Sequence, residues 1–202
     1  DPAVNGAALV GLATEACDNP DLQAMFNLQE RLQEKIEQSK KLNAPKDLEA
    51  FKIMIARTIG YGKLAAFYPI LEDYMKDLSP AVVKQAILSA GSSQAPCFIK
   101  TLLSFLPNKS TRSAARKALA RYEPAELLPI LEDVSRAPDT KTDLLIQLPA
   151  LAETMETQQA VDYLFALVQQ EDPIVKMEAL ESLYKIKARF PHLTIGWKRL
   201  IP

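Results

Sequence analysis

Apolar residues recur along most of the chain at helical intervals, and short polar or proline-containing steps interrupt them. Over 63–77 (KLAAFYPILEDYMKD), Leu64, Phe67, Tyr68, Leu71, Tyr74 and Met75 keep the spacing of one helix face. Leu78-Ser79-Pro80 ends that run, and 81–90 (AVVKQAILSA) begins another behind Pro80, whose missing N–H costs nothing in a first turn. The same order of helix, short turn and helix is predicted for 95–106 with 111–122, for 124–136 with 141–153, and for 157–170 with 172–187.

One string is written twice. Pro69-Ile70-Leu71-Glu72-Asp73 returns as Pro129-Ile130-Leu131-Glu132-Asp133, sixty residues later, a distance that holds two units of about thirty each. The residues after each turn align as Val4-Asn5, Val83-Lys84, Thr111-Arg112, Thr140-Lys141 and Val175-Lys176, and the last four basic residues are spaced by 28, 29 and 35. A small repeated unit with insertions accounts for this, and the duplicated string then reports repetition and not duplicated chemistry. Residues 20–62 depart from the unit. There a long polar helix (20–42) carries an apolar line at Leu22, Met25, Leu28, Leu32 and Ile36, Asn43-Ala44-Pro45 closes it, and 46–59 follows, ended by Gly60-Tyr61-Gly62. This pair is taken as an enlarged or atypical repeat.

The physical basis of such a pattern is that one helix pair has too little area to bury its own apolar sides, so neighbouring pairs must stack. Ala86, Ala90, Ala114, Ala115, Ala118 and Ala179 would let second helices approach closely, and Asp172 is placed to cap a helix start. Asp172-Pro173-Ile174-Val175-Lys176-Met177-Glu178-Ala179-Leu180-Glu181-Ser182-Leu183 resembles the second-helix opening of HEAT repeats, and Pro80, Val83, Lys84 and Ala86 keep several of its elements. The resemblance implies an all-α, right-handed α-α superhelix of about five helix pairs across 1–202, used as a scaffold for protein–protein interaction. Since Asp1-Pro2-Ala3-Val4 reads as a second-helix opening, its first-helix partner is expected outside 1–202, in a longer polypeptide with neighbouring domains. Two alternatives come with the resemblance. One is a lyase or regulatory module similar to the HEAT-like proteins that act on pigment-bearing antenna proteins, with Cys17 or Cys97 near a concave cavity. The other is a soluble appendage of a bacterial membrane transporter.

Composition narrows the chemistry. Twenty-four Lys and Arg against 25 Asp and Glu give a formal net charge of −1, which argues against nucleic acid, where a basic surplus is usual. Some helical-repeat proteins resemble DNA glycosylases with a basic channel, but the single tryptophan is Trp197 and no basic stripe runs through all repeats. Fourteen prolines and six glycines fit helices with prolines at their ends. Two cysteines far apart signal no disulfide framework or zinc site, and a reduced, cytoplasmic setting is expected. No apolar run reaches the length of a membrane span. One histidine, His192, leaves no metal-binding histidine set, and a loop or cap role is expected of it. Glu72/Asp73 and Glu132/Asp133 point apart on a helix and are read as surface, and Gly60-Tyr61-Gly62 as a hinge. Tyr61, Phe67, Tyr68, Tyr74, Tyr122, Tyr163, Phe165 and Tyr184 are expected to fill gaps between helices. On helix 20–42, Glu37 can pair with Lys41. The strongest charge feature is Lys109, Arg112, Arg116, Lys117 and Arg121, the candidate interaction residues for a phosphate, lipid headgroup or acidic protein. No cofactor, metal or catalytic residue is indicated.

Overall fold

The computed structural model describes residues 2–42 and 44–196, and among them all regular structure is helical. Of the residues discussed above, Asp1, Asn43 and Trp197, and the side chains of Pro2, Ala3, Val4 and Asn5, lie outside the described set. The chain forms two compact units, Asp1–Phe98 with Ser113–Arg121, and Ile99–Arg112 with Tyr122–Pro202.

In the first unit, α1 (Pro2–Glu15) and α3 (Leu28–Lys40) both pack on α4 (Pro45–Tyr61), and α4 packs on α6 (Pro80–Ser93). The short α2 (Pro20–Met25) leads into α3, and α5 (Tyr68–Tyr74) lies against α4 and α6. Leu9, Ala13, Ala16 and Leu28 form one buried cluster, flanked by Leu12, Leu22, Phe26 and Met54. The second unit pairs α12 (Gln158–Val168) with α13 (Pro173–Arg189), packs both on α11 (Pro149–Ala152), sets α9 (Pro124–Arg136) on α12, and sets α7 (Ile99–Ser104) on α9. Prolines open most of these helices, as expected from the missing N–H.

Second helices approach one another through small residues. A β-carbon on Gly60 of α4 would lie 2.4 Å from the Ser89 carbonyl oxygen of α6, and one on Gly91 of α6 would lie 2.4 Å from Ala118 Cα. Ala118 belongs to α8 (Arg112–Leu119). The alanines at 86, 90, 114, 115, 118 and 179 are all buried, as the spacing predicts. Gly60 is therefore a packing position inside α4 rather than a hinge. The turn that follows is closed by Lys63, in the left-handed region at φ 49°, with Leu64 N–H donating to the Ile59 carbonyl at 3.1 Å and Lys63 N–H to Gly60 at 3.4 Å. Asp18, also left-handed, accepts an ion pair from Lys63 Nζ at 2.7 Å and so ties the end of α4 to the end of α1.

Caps fix the register of the repeat. Ser79 Oγ accepts from Val82 N–H and Asp172 Oδ1 accepts from Val175 N–H, so Val82, and not Val83, is the counterpart of Val175. Both valines are fully buried, and Lys84 then matches Met177. Several expected helices are shorter or broken: 95–106 divides into a 3₁₀ turn (Pro96–Phe98) and α7, and 111–122 is helical only from Arg112 to Leu119. The 20–42 run breaks at Asn27, which is left-handed at φ 50°, leaving Met25 exposed while Leu28, Leu32 and Ile36 stay buried. Only a 3₁₀ turn, Ala65–Phe67, precedes α5 in 63–77. The 141–153 helix splits into α10 (Thr142–Leu145) and α11, because Pro149 has no N–H to continue the ladder and Gln147 and Leu148 bond three residues back instead. Glu37 pairs with Lys40 at 2.7 Å, one position earlier than Lys41.

Asp77 makes the best-enclosed ion pair of the first unit. Its side chain is 13% exposed, meets Lys52 Nζ, and accepts the Ser79 N–H at 2.8 Å ahead of α6. Burial alone would raise its pKa, but the Lys52 hydrogen bond, the Ser79 N–H and the Lys52 charge outweigh burial and lower it. A carboxyl with a depressed folded pKa supports the fold above its unfolded pKa, about 3.9, and that support is lost as pH falls through the folded value. Asp77→Asn is expected to lower stability at neutral pH and to flatten the acid limb below about pH 4. Urea unfolding of both proteins across that range checks it, with the two curves converging at the acid end.

Candidate functional site

The basic residues divide by what they touch. Arg112, at the start of α8, turns back on its own approach. Its Nε donates to the Leu106 carbonyl and its Nη2 to the Pro107 carbonyl, each at 2.8 Å, so the guanidinium satisfies backbone oxygens left open where α7 ends. Thr111 Oγ1 does the same for Phe105 at 2.9 Å. Arg116 is half-buried on α8, whereas Lys109, Lys117 and Arg121 are exposed. The Arg121 carbonyl accepts Gln94 Nε2 at 2.6 Å, which fixes the backbone beneath its side chain. Lys117 lies on α8 and Arg121 in the turn that follows it, so the first unit presents two exposed cations four residues apart, behind which Ala114, Ala115, Ala118 and Leu119 of α8 are buried. Two such cations can hold a carboxylate or phosphate.

The first unit also contains an apolar groove of about 640 Å³ between α1 and α4, lined by Ala7, Val10, Leu42, Phe51 and Met54, with Asp47 and Arg57 as its charged residues. Arg57 Nε donates to Gln85 Oε1 at 3.1 Å, and Lys35 Nζ stands 6.0 Å over the Phe51 ring. Neither cysteine lines this groove. Cys17 is half-buried beside Asp18, and burial first, then the Asp18 charge, push its thiol pKa up, so it stays protonated at neutral pH. Cys97 is exposed. A maleimide time course followed by peptide mapping is therefore expected to label Cys97 well ahead of Cys17; equal rates would contradict the burial and charge that hold the Cys17 proton.

The acidic residues of the repeated string lie outward. In both copies the proline and the aspartate are exposed, the isoleucine is half-buried and the leucine is buried. Glu132 pairs with Arg136 at 2.9 Å. His192 Nε2 lies 3.5 Å from Glu156, both well exposed. Among the described residues no three His, Cys, Asp or Glu side chains converge as a metal-holding group, and no helix is long and apolar enough to cross a membrane. Tyr122, Tyr163 and Phe165 are buried and Tyr68 meets Phe98 edge-on at 5.0 Å, as gap-filling predicts, while Tyr184 stands in solvent.

No family model, curated protein or solved structure matches the chain. What the residues present is an all-helical fold of paired helices, with outward cations and an apolar groove.

Proposed function

We propose that this chain is a non-catalytic HEAT-type scaffold: one repeat domain of about five helix pairs wound right-handed, with 20–62 as its atypical pair, that holds a protein partner in the cytoplasm. The observation that carries this reading is the succession α4, α6 and α8, in which each second helix meets the next through a glycine (Gly60 on Ser89, Gly91 on Ala118). Helices joined in that way spend their buried faces on each other and leave polar outer rows for recognition, which is the logic of stacked repeats. Of the five candidate cations, Arg112 is committed to carbonyls, so recognition of an acidic partner falls to the exposed Lys117 and Arg121, with Lys109 as a separate contact.

The test is photo-crosslinking in cells from residue 120, exposed between the two cations, in the wild-type background and in Lys117→Glu/Arg121→Glu. One acidic protein captured by the first and lost from the second, with helicity unchanged, is the expected result. The same captured proteins in both backgrounds would reject recognition by these two cations.

A further inference from the structure

The groove of the first unit is built by two helices that run the same way. A β-carbon on Gly6 of α1 would lie 3.1 Å from Met54 Cγ of α4, and one on Gly62, just past α4, would lie 3.2 Å from Ala13 Cβ of α1. The α1 wall is uncharged, since residues 6–14 carry no ionisable side chain, and Ala7 is exposed on it. The α4 wall is a stripe of Asp47, Ala50, Met54 and Arg57, at steps of three, four and three residues. It is apolar in the middle and charged at its two ends, which stand about 15 Å apart along the helix axis. The Arg57 end is prepared for an anion. Gln85 Nε2 donates to Oγ of the buried Ser89 at 3.2 Å, which turns Gln85 Oε1 to accept Arg57 Nε at 3.1 Å. That chain of bonds fixes the guanidinium plane, while its two Nη groups bond nothing among the described residues. A guanidinium held in this way offers its open edge to the two oxygens of a carboxylate.

We propose that this groove binds an aliphatic monocarboxylate, with the carboxylate on Arg57, the chain lying over Val10, Met54 and Ala50, and the methyl end toward Asp47. The occupant follows from charge and from width. One fixed cation at one end of an apolar furrow matches one anionic head on an apolar chain, and walls of this kind with a few polar groups are the usual build of a small-ligand cleft. About 640 Å³ spread over about 15 Å leaves a section of about 40 Å², half that of a helix about 10–12 Å across, so the furrow seats a flexible chain and not a helix. Asp47 adds selectivity, because a second carboxylate at the far end of the chain would meet its charge. The site shares no residue with the Lys117 and Arg121 surface and stands or falls separately from it.

Isothermal titration calorimetry of the full chain with dodecanoate, whose extended length matches the span from Arg57 to Asp47, reads the binding directly. The expected result is saturable one-to-one uptake, with the dissociation constant raised about tenfold or more in Arg57→Gln. Dodecanedioate is expected to bind the wild-type chain about tenfold more weakly than dodecanoate and to regain that loss in Asp47→Asn, a gain that misfolding cannot produce. Ala50→Phe, at an exposed position in the middle of the groove, is expected to abolish uptake. Far-UV circular dichroism of each variant confirms the helices. A wild-type chain without saturable uptake overturns the proposal, also where a second copy or a segment of another protein fills the groove. So does uptake retained in full by folded Arg57→Gln or Ala50→Phe, or a discrimination against the dicarboxylate that Asp47→Asn leaves unchanged.

Discussion

Gly60→Ala and Gly91→Ala are each expected to lower the melting temperature sharply, whereas Gly11→Ala, one methyl added to the same kind of helix, raises it. All three glycines sit inside helices, where alanine is intrinsically better by about 0.8–1.0 kcal/mol. Propensity alone would therefore make every one of these changes stabilising. Space decides the sign. At Gly11 nothing lies within 4 Å of the new β-carbon, so the propensity gain stands. At Gly60 the new atom meets Ser89 backbone at 2.4 and 2.7 Å, and at Gly91 it meets Ala118 Cα at 2.4 Å and the Ala118 carbonyl oxygen at 2.8 Å. Backbone of a neighbouring helix does not rotate away as a side-chain tip would, so the helices must part and shed contacts along their length. Overpacking costs about 1–3 kcal/mol where side chains can adjust. Against backbone the cost lies at or above the upper end, and a net loss of about 2 kcal/mol or more is expected after the propensity gain. Thermal unfolding followed by circular dichroism at 222 nm checks all three. A rise in all of them would mean that α4, α6 and α8 do not meet as described.

Those glycines also mark what the sequence reveals of the fold and what it does not. Helices and their proline openings are legible because apolar period and first-turn chemistry are local, and α9, α12 and α13 follow the periodicity closely. The breaks are not, since a left-handed residue need not be glycine. Asn27 takes that conformation, and the 20–42 helix reads straight through it. Gly60 beside Gly62 looks like a flexible joint until a second helix is placed against it. The candidate site was obscured for a related reason: Arg112 has the spacing of a surface cation, and only the three-dimensional path of 105–112 shows that its donors return to backbone carbonyls. Tyr184 misled in the other direction. A helix apolar on two sides reads as buried all round, and α13 buries only one of them.

Leu71→Ala and Leu131→Ala are expected to cost about 2–5 kcal/mol each, as large-to-small changes at sites with no solvent exposure, while the acidic residues beside them are nearly silent. Glu72→Gln, Asp73→Asn and Asp133→Asn remove outward charges and are expected to stay within about 0.5 kcal/mol. Glu132→Gln adds only the loss of an exposed i,i+4 pair to Arg136, about 0.3–0.5 kcal/mol. This split is the energetic meaning of the duplicated string. Were it a duplicated site, the carboxylates would carry the effect through partners or perturbed ionisation. As a duplicated building block, its weight lies on the leucine that each copy drives into a core, and the matching pattern of burial in the two copies places it there. The copies belong to different compact units, Leu71 to the first and Leu131 to the second. Hydrogen exchange resolved by segment is therefore the fitting measurement: protection should fall around 68–93 for Leu71→Ala and around 124–168 for Leu131→Ala. Full protection retained in both leucine variants, or comparable losses from the carboxylate variants, would return the string to the reading of a repeated site.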